Sequence, residues 1–233
     1  MTRLWFSLLL LEVSPHDLEL KSGMIQVRGA PDKRVSLAHV AQVLSAPPPA
    51  MLLAEGLEPG LEATHYYRPT ANTYSGGVHL ATVEVDVATG QVRVLRYIVV
   101  HDCGTIINPM VLDGQVVGGV AQGLGNALYE AMIYDPDTGQ PLTTSLMDYL
   151  LPTSMEVPPV EVLHRCTPSP LNPEGIKGAG EGGTMPVPAT IANAIDDALT
   201  PLGVTVTRVP LGPSALRDVI REAQSAQGSA QHA

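Results

Sequence analysis

One carboxylate stands among four glycines in the run Lys177-Gly178-Ala179-Gly180-Glu181-Gly182-Gly183. Glycine allows positive φ and close backbone approach, so an acid on such a loop is not packed among its own neighbours. A bulky cofactor or substrate is a natural occupant of the space around it. Pro186 and Pro188 then lead into a helix whose free N–H groups favour anionic ligands. The plain alternative is a Gly-rich turn with an exposed acid. A dinucleotide fingerprint fits less well: Gly178, Gly180 and Gly183 have the spacing, but Pro168, Pro170 and Pro173 stand where an apolar strand should precede the loop.

A second set of chemistry-bearing residues is His101-x-Cys103 and His164-x-Cys166, each at an apparent strand end. Residues i and i+2 of a strand share a face, so the two pairs could build a Cys₂His₂ zinc site. The spacing is shorter than that of ordinary zinc ligand pairs, and a reduced cysteine is commonly just buried. His79, at the start of a strand, is more ordinary as a packed histidine than as a catalyst.

The elements that must position these residues are read from periodicity. Ser14, Pro15 and Asp17 mark a helix start, and a turn at Lys21-Ser22-Gly23 leads to a strand over 24–28. Residues 36–44 read as a helix stopped by Pro47, Pro48 and Pro49, and 55–63 as a loop entering a strand over 64–68. Residues 78–87 alternate, with His79, Ala81, Val83, Val85 and Val87 on one face, and with 92–100 they predict a hairpin. From 113 to 132, Val116, Val120, Leu124 and Leu128 recur as a helical stripe. Gly114, Gly118, Gly119, Gly123 and Gly125 crowd the same helix. Each costs about 1 kcal/mol there, so another backbone or a ligand should approach it closely. Residues 132–134 and 143–149 read as a strand pair, 160–164 and 204–209 as strands, and 188–199 and 213–223 as helices. The fold class predicted is α+β, with mixed sheets, β-hairpins and packed helices. Residues 1–223 read as one region of one or two small subdomains, and 224–233 as a disordered tail.

Composition narrows the function. The chain of 233 residues is 45% hydrophobic and only 15% charged, with Gly 22 and Pro 21, which describes a packed protein of many turns. A net charge of −10 without a basic patch argues against nucleic-acid binding. Two cysteines make no disulfide framework and fit a reducing cytoplasm. The apolar run over 4–11 lacks a cleavage site and is far short of the roughly 20 residues of a membrane span.

Taken together, several motifs resemble the molybdenum hydroxylase large subunits, the family of xanthine dehydrogenase, aldehyde oxidase and carbon monoxide dehydrogenase. They are Thr167-Pro168-Ser169-Pro170-Leu171-Asn172-Pro173, the Glu181 loop with Thr184, and Pro188-Ala189-Thr190-Ile191-Ala192-Asn193-Ala194. Earlier come Asp102-Cys103-Gly104-Thr105-Ile106-Ile107-Asn108-Pro109, Gly114-Gln115 and Gly118-Gly119-Val120-Ala121-Gln122-Gly123. The resemblance covers nearly the whole chain and is strongest to the carbon-monoxide-dehydrogenase-like branch. It implies the second half of a molybdenum-cofactor-binding region, with Glu181 as the general base that deprotonates an oxygen on the metal.

By the same resemblance, Asp102, Gly104, Asn108, Gln115, Gln122, Lys177, Gly178, Gly180, Gly182 and Gly183 line a molybdopterin, expected in its cytosine dinucleotide form. No side chain is expected to ligate molybdenum. Asp102 and Asn108 have a plain alternative as turn caps, and a helix Gln is usually solvated. The implied reaction is hydroxylation of aldehydes or N-heterocycles, or oxidation of carbon monoxide. The implied partners are the N-terminal remainder of the large subunit, an iron–sulfur subunit and an FAD-binding subunit. Residues 1–7 depart from the family, and nothing matches its loop that offers a Cys to copper; Cys103 and Cys166 lie in other motifs. Three readings stay open: half of a split subunit, a truncated remnant, or a stand-alone module for a nucleotide-like ligand. The isolated chain is expected to be inactive.

Overall fold

The computed structural model describes residues 11–45, 64 and 66–230. Most of the expected N-terminal apolar run, the proline stop at 47–49 and the loop at 55–63 lie outside them. The chain divides into two compact units, Met1–Arg68 and Pro69–Ala233, and the architecture is α+β.

In the first unit the helix expected at Ser14 is a single 3-10 turn, Pro15–Asp17, which runs straight into β1 (Leu18–Lys21). Ser22 and Gly23, with φ of 48 and 76, turn the chain into β2 (Met24–Val27). Then β3 (Ala30–Ser36) completes an antiparallel sheet in the order β1-β2-β3. Neither β1 nor β3 was legible: β3 reads Ala-Pro-Asp-Lys-Arg-Val-Ser, largely exposed and without apolar alternation. The helix α1 (Leu37–Ser45) closes the unit. Its core is Leu18, Ile25, Val27, Val40 and Leu44. The strand expected over 64–68 does not form in the described residues there.

The second unit is organised by a long hairpin of β4 (Gly76–Asp86) and β5 (Gln91–Asp102). Gly90, at φ 75, and the Asp86 carboxylate, which accepts from the Ala88 N–H at 2.9 Å, shape its turn. Next to β5 lies β6 (Val160–His164), parallel to it and in register His101 to His164. The central strand β5 buries Tyr97, Val99 and His101 on one face.

Helix α2 (Pro109–Leu128) begins four residues before the expected Asp113. Asn108 caps it, taking the Val111 N–H at 3.2 Å, and Pro109 occupies the first turn. It buries the predicted stripe Val116, Val120, Leu124 and Leu128. Helix α3 (Val187–Leu199) lies against β4 and α2 and buries Ile191, Ile195 and Leu199. Each such side chain contributes roughly 1.5–3 kcal/mol when fully buried.

Three expectations for this unit are corrected. The strand pair at 132–134 and 143–149 reduces to one bridge, Tyr134 to Pro141. The Thr143 hydroxyl there, taking the Ile133 N–H and donating to the Ala131 carbonyl, replaces a ladder. The strand at 204–209 is irregular, because the Val206 N–H goes to the Asp196 carboxylate at 2.7 Å and not to a strand partner. The last helix, α4 (Pro213–Ala230), runs past Ala223 through residues expected to fray. Among the described residues no helix is long and apolar enough to cross a membrane.

Candidate active site

The chain's two motif segments meet beyond the C-terminal ends of β5 and β6. The Arg165 N–H reaches the His101 carbonyl at 2.9 Å, and the Lys177 N–H reaches the Cys103 carbonyl at 2.8 Å. Gly175 O accepts from both Thr105 N–H and Ser169 N–H at 3.0 Å. Gly104, at φ 70, is required here: a Cβ on it would stand 2.1 Å from Gly175 O. Asp102 anchors the junction. Its Oδ1 accepts from the Gly104 N–H at 2.9 Å, the Thr167 N–H at 3.2 Å and the Lys177 ammonium at 3.3 Å. Hydrogen bonding from Thr167 first, then from Gly104, with Lys177 contributing least, holds the Asp102 carboxyl far below the usual carboxylate range.

The Glu181 loop then crosses α2. Gly183 passes where a Cβ would meet Val116 O at 2.5 Å, and Gly119 and Gly123 receive Gly183, Thr184 and Val187. The Thr184 hydroxyl fastens the crossing by donating to Gly119 O at 3.0 Å. So these glycines serve backbone-to-helix packing. Gly182 is equally filled from within the protein, because a Cβ there would stand 2.5 Å from His101 Nε2. Gly114, Gly118, Gly178 and Gly180 are different, with open space where a Cβ would be.

Three of these, Gly114, Gly118 and Gly180, border a hollow beside Glu181, and Gly180 also borders a second one. One, of about 340 Å³, is lined by Gly114, Gln115, Gly118, Gln122, Gly180 and Glu181 among others. The other, of about 450 Å³, is lined by Cys103, Asn108, Lys177, Ala179 and further apolar residues, and shares Gln115 and Gly180 with the first. Gln115 donates to Gly180 O at 2.8 Å and so forms the partition. Glu181 is exposed, and among the described residues its carboxylate has no hydrogen-bond or ionic partner. A roomier hollow of about 670 Å³, near Glu84, Arg93 and Tyr129, holds none of the motif residues.

The structure therefore gathers all the sequence-derived candidates, but in two groups. Gln115, Gln122, Gly178, Gly180 and Glu181 face open space. Asp102, Gly104, Gly182 and Gly183 brace the fold; Asn108 caps α2 and Lys177 is paired to Asp102, although both also border the second hollow. Sequence reading overlooked Gly114 and Gly118 as lining, and Thr184 as the clasp. The spacing of Gly114, Gln115, Gly118 and Gln122 on one helical face was the available signal. The alternative zinc site is not assembled. Parallel pairing does bring the His101 and His164 rings to 6.5 Å, yet among the described residues no three ligands gather.

Comparisons with known proteins bear on the family and the fold. The family model "Molybdopterin cofactor-binding domain" matches residues 7–158. The chain is 42% identical over 207 residues to the nicotine 6-hydroxylase large subunit of Paenarthrobacter nicotinovorans, covering 88% of the chain and 25% of that protein. To the carbon monoxide dehydrogenase large chain of Hydrogenophaga pseudoflava it is 41% identical, covering 86% and 24%. Among solved structures, quinoline 2-oxidoreductase from Pseudomonas putida 86 superposes with TM-score 0.85 at 41% identity, over 95% of this chain and 28% of that one. A Cu,Mo-CO dehydrogenase superposes at 0.84 and 34% identity, over 95% and 27%. The chain thus spans about a quarter of the length of the relatives it matches.

Proposed function

Since the chain belongs to the molybdopterin cofactor-binding domain family, we propose that it supplies one wall of a molybdenum hydroxylase active site, with Glu181 as its general base. The observation that carries this is the exposed, unpartnered Glu181 carboxylate beside a hollow bordered by Gly114, Gly118 and Gly180. The residues fit a flat pterin. Glycines without a Cβ leave room for ring approach, and the Gln115 and Gln122 amides offer donors and acceptors at the rim. Gln115 spends one N–H on Gly180 O and keeps its carbonyl and second N–H for the cofactor. Asn108 and Lys177 border the adjoining hollow, which suits the rest of a dinucleotide, the cytosine form by family resemblance. Asp102, Gly104, Gly182 and Gly183 hold the loop that these groups present.

When bound, the molybdenum group supplies a two-electron redox centre. Glu181 contributes by taking up a proton on a carboxylate oxygen as the substrate is oxidised, and its exposure lets it release that proton to water. Substrates of the class are aldehydes, N-heterocycles or carbon monoxide. The partners proposed are the remaining portion of a large subunit, an iron–sulfur subunit and an FAD subunit, in the cytoplasm. The test is Glu181→Gln in the assembled complex. Molybdenum content stays at the wild-type level while turnover falls by a factor on the order of 10²–10⁴. Unchanged turnover removes Glu181 from the chemistry.

A further inference from the structure

Three consecutive backbone carbonyls around Glu181 are each tied to a different part of the protein. Gly180 O accepts from Gln115 of α2. The carbonyl of Glu181 itself accepts the Thr184 and Met185 N–H groups, at 2.9 and 3.1 Å. Gly182 O lies 3.1 Å from Nε2 of His79 on β4. A carbonyl can only accept, so His79 Nε2 carries the proton and donates. Nδ1 of the neutral ring is then the acceptor, and the Tyr97 hydroxyl donates to it at 2.9 Å. The tautomer of His79 is set at both ends.

Gly182 is also confined by His101, whose Nε2 occupies the place of a Gly182 Cβ. His101 is 1% exposed. Its register partner His164 packs edge-to-face with it, and His164 Nε2 is hydrogen-bonded in turn to Asp113 on α2. Among the described residues neither ring nitrogen of His101 finds a partner. A buried imidazole without such a partner calls for an account of what holds it and what it does there.

Building on the proposed role of Glu181, we propose that His79 and His101 are positioning residues: together they fix Gly182 and so set the aim of the carboxylate one residue upstream. The backbone on both sides of the Glu181 Cα is then held, and only its side-chain torsions remain free. Such preorganisation matters for a base, because a misplacement of about 1 Å can cost on the order of a hundredfold in rate.

The test uses the complex as assembled in the cell. His79→Leu keeps bulk and removes the donor to Gly182 O; His79→Gln keeps an amide N–H that can reach it. The Leu variant should lower kcat by about a hundredfold with molybdenum content and KM little changed. It should also speed hydrogen exchange at the Thr184 and Met185 amides, a readout independent of turnover. The Gln variant should restore most of both. Gly182→Ala should act like His79→Leu, and adding His101→Ala should recover part of the loss by making room for the methyl.

Wild-type exchange and kcat in His79→Leu, or a fully active Gly182→Ala, would overturn the clamp. Glu181→Gln measured alongside keeps the two ideas apart. If Glu181→Gln is inactive while His79→Leu is normal in both readouts, only the clamp is lost. If Glu181→Gln stays active while His79→Leu still frees the amides, the base assignment falls and the anchoring of Gly182 stands.

Discussion

The side-chain amide of Gln115 donates to the carbonyl of Gly180 at 2.8 Å, so helix α2 grips the loop one residue before Glu181. The bond is exposed, and an exposed hydrogen bond of this kind stabilises by about 1 kcal/mol at most. Its larger effect is on where the loop lies between the two hollows. Gln115→Met, similar in length but without a donor, should barely move the urea midpoint while lowering molybdenum retention and turnover. A variant that loses neither would show that the partition has no part in the site.

Two glycines about 1.4 turns apart on the same helix should respond with opposite signs. Nothing lies within 4 Å of a Cβ built on Gly118, so Gly118→Ala should stabilise the helix by about 0.5–1 kcal/mol. The same methyl projects into the hollow beside Glu181, so cofactor loading should fall as stability rises. A Cβ on Gly123 would stand 2.5 Å from the Val187 Cβ, and Gly123→Ala should destabilise by about 1–3 kcal/mol. Thermal unfolding of the two variants, with metal analysis of each, checks the pair. Equal shifts of the same sign would contradict the division between packing and lining glycines.

How far the sequence could be read depended on how local the signal was. The hairpin β4–β5 and the stripe Val116, Val120, Leu124 and Leu128 were legible because each element carries its own period. The crowding of glycine on α2 correctly announced a close approach, but not which glycines met backbone and which met open space. That distinction depends on the path of Gly183 to Val187, far away in sequence. His79 was legible only as a strand histidine, and His101 as half of a candidate zinc-ligand pair. Their meeting at Gly182 requires β4, β5 and the loop in place together, a relation between residues 103 positions apart in one case. The irregular stretch at 204–209 was misread because its β-branched residues look like a strand, while the Val206 N–H goes to the Asp196 carboxylate; just past it the Leu211 N–H goes to Ala127 O of α2.

Asp102 makes acid stability sensitive at one identifiable place. Hydrogen bonds from Thr167 and Gly104, with Lys177 behind them, keep its carboxyl below the ordinary range in the folded chain. A depressed acid contributes stability that is fully present above its unfolded pKa, near 4, and is lost as pH falls below it. Urea unfolding between about pH 4 and pH 2.5 should therefore weaken more steeply in the wild type than in Asp102→Asn. The amide still accepts from Gly104 and Thr167 but cannot be neutralised further. Parallel acid profiles would mean that the Asp102 charge adds nothing to folding.

His79 and His101 act in a separate and higher pH window. Burial pushes both imidazoles below their ordinary value of 6.5; at His79 the bond to Gly182 opposes this, and at His101 the nearby His164 adds to it while Asp102 opposes. Below 6.5 the unfolded chain binds protons that the folded chain resists, so stability is fully present above that value and is lost as pH falls toward the depressed folded values. Because protonating His101 would place a charge against Gly182 with no partner for it, the same fall should loosen the Glu181 loop. Stability measured at about pH 7.5 and 5.5 should drop in the wild type and drop less in the double variant His79→Gln with His101→Leu. Exchange at the Thr184 amide should quicken over the same interval in the wild type. A wild type whose stability and exchange are flat across this window would show that neither imidazole resists protonation in the fold.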